Sequence, residues 1–150
     1  MNAFPDTSFL CAIYRQQDNS GVAAARFEAL TEPLPVTGLL LYEFRQSLRF
    51  QVWLHAQDAR RGFSQRHGDR ALADLQSDLD TGAVGLVAAD WPDVHRLAER
   101  LSSAHTAAGG HRTMDILHVA TALHLGAREF LTFDANQRKL ALVGKLKVRL

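Results

Sequence analysis

Residues 113–134 read Thr113-Met114-Asp115-Ile116-Leu117-His118-Val119-Ala120-Thr121-Ala122-Leu123-His124-Leu125-Gly126-Ala127-Arg128-Glu129-Phe130-Leu131-Thr132-Phe133-Asp134. Ile116, Val119, Ala120 and Leu123 recur at helical spacing and form one apolar face. Asp115 borders that face in the first turn, and His118 lies further round it. Thr113 is the expected N-cap and Gly126 the expected stop. Phe130-Leu131-Thr132-Phe133 then has the length and composition of a short buried strand, with Asp134 just past its end. A helix, a turn and a strand, with an acid at either end, deliver two carboxylates to one edge of a small α/β sheet.

The same arrangement opens the chain. Asn2-Ala3-Phe4-Pro5 is a short apolar entry to Asp6-Thr7-Ser8, and Phe9, Leu10, Ile13 and Tyr14 continue at helical spacing. Asp6 thus falls at the carboxyl end of a first strand, where it also suits a helix N-cap. Pro5 cannot donate to a sheet ladder. Asp18 to Gly21 is a turn, 22–30 a helix ended by prolines, and 34–37 a second strand. A long helix starts at Leu39, with Glu43 in its early part and Arg45 and Arg49 one turn apart. Residues 58–80 are helical in pattern and rich in arginine, either as a solvated face or as an arm toward RNA or a partner. Residues 84–87 form a third strand. Asp90 caps a further helix, and 102–112 reads as a loop carrying His105 and His111. After Asp134 a short helix runs to Gly144, and 146–150 reads as a last strand. Short strands alternating with helices predict parallel pairing in a single domain, residues 1–150.

Composition narrows the function classes. The chain has 150 residues, with 47% hydrophobic and 22% charged, as in ordinary globular proteins. No apolar run suggests a membrane span, and no basic-then-apolar leader opens it, so a cytoplasmic location is expected. Cys11 is the single cysteine, which excludes an internal disulfide and a multi-cysteine metal site, and it reads as a core residue. The formal net charge of +1 does not announce a nucleic-acid binder.

Asp6 and Asp134 each follow a strand directly, on the edge where open parallel sheets bind ligands. If the helices bearing Glu43 and Asp115 start near that edge, four carboxylates converge. Packed acids raise one another's pKa, and a divalent cation relieves the repulsion. Oxygen-only ligands suit Mg²⁺ or Mn²⁺, and such sites serve phosphodiester hydrolysis.

These positions resemble a PIN-domain ribonuclease, and in particular the VapC toxins of toxin–antitoxin pairs. The likeness rests on Asp6-Thr7-Ser8, on Glu43 within Leu41-Tyr42-Glu43-Phe44, on Asp115 to Ala122, and on Phe130 to Asp134. It implies a PIN-like three-layer α/β/α sandwich with a short, mostly parallel central sheet. It further implies a Mg²⁺- or Mn²⁺-dependent endoribonuclease whose acidic site is Asp6, Glu43, Asp115 and Asp134, with Ser8 and Thr132 as supporting hydroxyls. The implied partners are an RNA substrate, a cognate VapB-like antitoxin and a second copy in a homodimer. The antitoxin tail would lie among Phe9, Ile13, Tyr14, Phe44, Phe50 and Trp53, residues that also suit plain core packing. Arg45, Arg49 and Arg112 are candidate phosphate contacts, and His118 is a packing or hydrogen-bonding residue. Asn136 stands where some members carry a further acid, which implies one metal rather than two. The alternatives are a housekeeping PIN nuclease without an antitoxin, or a PIN module that binds RNA or protein without cutting.

Overall fold

The computed structural model describes residues 1–150, and the chain divides into two compact units. The first is built from Met1–Phe9 and Val87–Leu150, the second from Leu10–Leu86. Each holds one two-stranded parallel sheet, so the short parallel pairing expected of the chain is shared between two strand pairs. No helix is long and apolar enough to cross a membrane.

In the first unit β1 (Ala3–Pro5) pairs in parallel with β4 (Glu129–Leu131), Phe4 opposite Phe130. Both phenylalanines are fully buried. The Asp6 amide donates to the Leu131 carbonyl at 3.0 Å. Parallel ladders bond through alternate residues, so the nitrogen of Pro5 faces away from β4 and the strand loses nothing by its proline. The expected last strand reduces to a single parallel bridge, Glu129 to Lys147. Lys145, at a φ of 63°, turns the chain just before it.

Three helices pack around this pair: α5 (Trp91–Gly109), α6 (Thr113–His124) and α7 (Ala135–Val143). Asp90 caps α5 as expected, its side chain accepting from the Asp93 amide. The loop expected at 102–112 is a correction. Most of it is the end of α5, because Ala104, Ala107 and Ala108 favour helix. The helix ends only at Gly110, whose left-handed backbone few other residues adopt. His105 therefore sits on the helix, and His111 is buried. At α6 the cap is Arg112 rather than Thr113, with no side-chain cap bond. Its end is as expected. Gly126 turns at a φ of 69°, the Gly126 amide returns to Leu123 and the Ala127 amide to Ala122, the paired bonds of a Schellman motif.

In the second unit β2 (Leu34–Val36) pairs in parallel with β3 (Val84–Leu86). Around them lie α2 (Ser20–Glu28), the 20-residue α3 (Gly38–Gln57) and α4 (Gln65–Thr81). The residue Thr37 caps α3 through its hydroxyl. Residues 58–64, expected to be helical, are irregular. Asp58 is extended and ends α3, and Gly62 has a φ of 58°. The first helix, α1 (Thr7–Tyr14), begins in the first unit and continues into the second.

Candidate active site

Three of the four expected acids lie in the first unit, and each stands at a helix start. Asp6 precedes α1, Asp115 is in the first turn of α6, and Asp134 caps α7. A helix N-terminus carries a partial positive charge and free amides that a carboxylate oxygen can accept from. Asp6 Oδ1 accepts from the Phe9 amide at 2.9 Å, and Asp134 Oδ1 accepts from the Asn136 and Gln137 amides at 2.8 Å each. Capping thus accounts for the hydrogen bonds of Asp6 and Asp134 at their helix starts.

Ser8 and Thr132 tie the acids to each other. The Ser8 hydroxyl donates to Asp6 Oδ1 at 2.6 Å and accepts from the Phe133 amide at 2.8 Å. The Thr132 hydroxyl donates to Asp6 Oδ2 at 2.5 Å and accepts from the Asp134 amide at 2.9 Å. Phe9 and Phe133 stack above them with ring centres 6.1 Å apart. Asp6 is completely buried, and burial pushes its pKa up to about 6. The bonds from Ser8, Thr132 and the Phe9 amide, and the charge of nearby His118, pull it part of the way back. His118 is itself buried.

Asp115 and Asp134 meet through an arginine. Arg112 Nε lies 3.1 Å from Asp115 Oδ2, and Arg112 Nη2 lies 3.8 Å from Asp134 Oδ2. One guanidinium thus faces one oxygen from each acid. Arg112, expected as a phosphate contact, instead pairs with the acids; its place three residues before Asp115 at a helix start is the sequence signal for the first of these pairs.

Two carboxylate oxygens turned to one cation form a hard donor pair, and that chemistry fits a divalent ion of the Mg²⁺ or Mn²⁺ kind with waters completing its shell. No third aspartate, glutamate, histidine or cysteine stands close enough to make a ready-made ligand group. Glu43 belongs to the second unit, half-buried in the second turn of α3.

Of the residues expected to receive an antitoxin tail, Phe9 and Phe44 are fully buried core. Phe50 and Trp53 are half exposed on α3 and stack on each other at 5.5 Å. The Tyr14 hydroxyl donates to Asp78 at 2.7 Å. Cys11 is buried, as expected.

The family model of the PIN domain matches residues 3–143. No curated protein matches the sequence significantly. Among solved structures, VapBC-1 from nontypeable Haemophilus influenzae is similar with a TM-score of 0.66 at 13% identity, covering 99% of this chain and 97% of that one. VapC20 of Mycobacterium tuberculosis, described as a Sarcin-Ricin loop cleaving toxin, is similar with a TM-score of 0.65 at 18% identity, covering 92% and 94%. FitAcB from Neisseria gonorrhoeae gives 0.61 at 15% identity, covering 99% and 96%.

Proposed function

This chain belongs to the PIN-domain family, and from that premise we propose that it is a metal-dependent endoribonuclease acting as the toxin of a toxin–antitoxin pair. The observation that carries the proposal is the convergence of Asp115 Oδ2 and Asp134 Oδ2 on one cation, beside the network of Asp6, Ser8 and Thr132. The cleavage ascribed to VapC20 supports the nuclease reading.

In this reading Asp115 and Asp134 would hold Mg²⁺ or Mn²⁺, and Glu43 is the further acid that the family likeness assigns to the catalytic set. Asp6 adds a buried negative charge, and its Oδ2, which accepts from Thr132, keeps a second lone pair, whereas its Oδ1 accepts from both Ser8 and Phe9. When bound, the ion acidifies water and offsets the charge on a phosphodiester. The protein's own part is placement. Ser8 and Thr132 hold Asp6 and the backbone before Asp134, and α6 and α7 direct their positive ends toward the acids. Arg45 and Arg49, on α3, are phosphate contacts in the same reading. A cognate antitoxin packs on the second unit, where Phe50 and Trp53 are exposed, and the protein self-associates as a dimer.

Incubating the purified protein with bacterial total RNA and Mn²⁺, with EDTA as the control, tests the reading. Endonucleolytic products that disappear with EDTA support it. No cleavage, but retained RNA binding, would favour a non-catalytic module. Growth arrest on expression, relieved by a co-expressed small neighbouring gene product that co-purifies, separates a toxin from a housekeeping nuclease.

A further inference from the structure

We propose that Arg112 is the resident cation of the Asp115–Asp134 pair, and that a divalent ion enters only by displacing its guanidinium. The inference rests on the metal-dependent reading above and concerns how the metal is admitted.

Geometry makes the two cations compete. Asp134 Oδ1 is committed to two amides of α7, at 2.8 Å each, so Oδ2 is the oxygen left for an ion. That same Oδ2 faces Arg112 Nη2, while Asp115 Oδ2 faces Arg112 Nε. A cation bridging the two oxygens occupies the space the guanidinium now fills. Without any cation there, two acids at neighbouring helix starts would repel.

Arg112 is suited to yield. Its backbone is fixed as the cap of α6, which keeps the side chain tethered within reach of the acids. The side chain itself is 76% exposed, whereas that of Asp115 is 7% exposed. The guanidinium can swing into water while the acids stay in place. Ion pairs whose guanidinium stands mostly in water are weak, so the arginine raises the metal concentration needed without blocking the site. Because it leaves its partners when metal arrives, Arg112 is a positioning residue and not a metal ligand.

The test is Mn²⁺ affinity, measured by calorimetry and by electron paramagnetic resonance on EDTA-stripped, dialysed protein without RNA. Arg112→Gln is expected to bind Mn²⁺ about three- to tenfold more tightly than the parent, the range that two ion pairs to a solvent-exposed guanidinium can supply. Arg112→Lys, which keeps the charge but not the fork, is expected to fall between them. If Arg112 merely held the acids in shape, both variants would bind more weakly. Unchanged or weaker affinity in Arg112→Gln overturns this inference and leaves the nuclease reading standing. No Mn²⁺ binding by parent or variant overturns both.

Discussion

The Thr132 hydroxyl joins Asp6 to Asp134, giving its proton to Asp6 Oδ2 at 2.5 Å and taking the Asp134 amide proton at 2.9 Å. One side chain thereby satisfies a buried carboxylate at the end of β1 and the backbone just past β4. Thr132→Val keeps the shape and removes both bonds. A buried carboxylate oxygen and a part-buried amide would then lack this partner, which costs about 1–3 kcal/mol. Urea unfolding is expected to show that loss for valine and little change for Thr132→Ser. Equal stability of the valine variant would mean that the hydroxyl does not link the acids.

The raised pKa of Asp6 has a signature of known sign. The folded value is about 6 against an ordinary 3.8, so folding favours the protonated form. The stabilisation is full below pH 4 and is lost as pH rises through 6. In the metal-free protein the shift corresponds to about 3 kcal/mol. Asp6→Asn lacks this titration but keeps an acceptor for the Phe9 amide. Unfolding free energies of parent and variant in EDTA, measured from pH 4 to pH 8, should therefore diverge. The parent loses about 3 kcal/mol relative to asparagine as pH rises. A difference independent of pH would contradict the buried, hydrogen-bonded placement of Asp6.

Two glycines of the second unit separate backbone strain from steric exclusion. Gly62 has a φ of 58°, and a β-carbon there would come within 2.0 Å of the Gln51 carbonyl oxygen. Gly82, which ends α4 at a φ of 78°, has open space around the same position. Gly82→Ala carries only the conformational penalty, about 1–2 kcal/mol. Gly62→Ala must also move the 58–63 turn off α3, and its loss is expected to be at least about twice as large. Thermal melts of the two variants side by side measure this, and equal losses would show that the turn gives way freely.

Sequence patterning was legible where side-chain periodicity and local capping decide structure. The Ile116–Leu123 face, the Asp90 cap and the Gly126 stop all stand where patterning puts them. It misled where composition suggested a loop. The small residues from Ser102 to Ala108 look like a linker, yet alanines extend a helix until a left-handed glycine ends it. It also overextended the strands, since three paired residues suffice in each sheet. In the site, the acids were visible but their partner was not. Nothing in spacing tells that Arg112 Nη2 faces an acid 22 positions onward, because that proximity depends on how α6 and α7 are packed.

Asp115 provides the most direct check on chemistry. Its side chain is 7% exposed, sits in the first turn of α6 and turns Oδ2 toward the shared cation position. Asp115→Asn keeps volume and shape and removes one negative charge. The folded protein loses an ion pair to a mostly exposed arginine, so its unfolding free energy is expected to change by no more than about 1 kcal/mol. Mg²⁺ or Mn²⁺ held by carboxylates depends far more on each charge. RNA cleavage should fall to the EDTA background, while circular dichroism and unfolding midpoint stay close to the parent's. Cleavage equal to the parent's, at matched metal concentration, would remove Asp115 from the site.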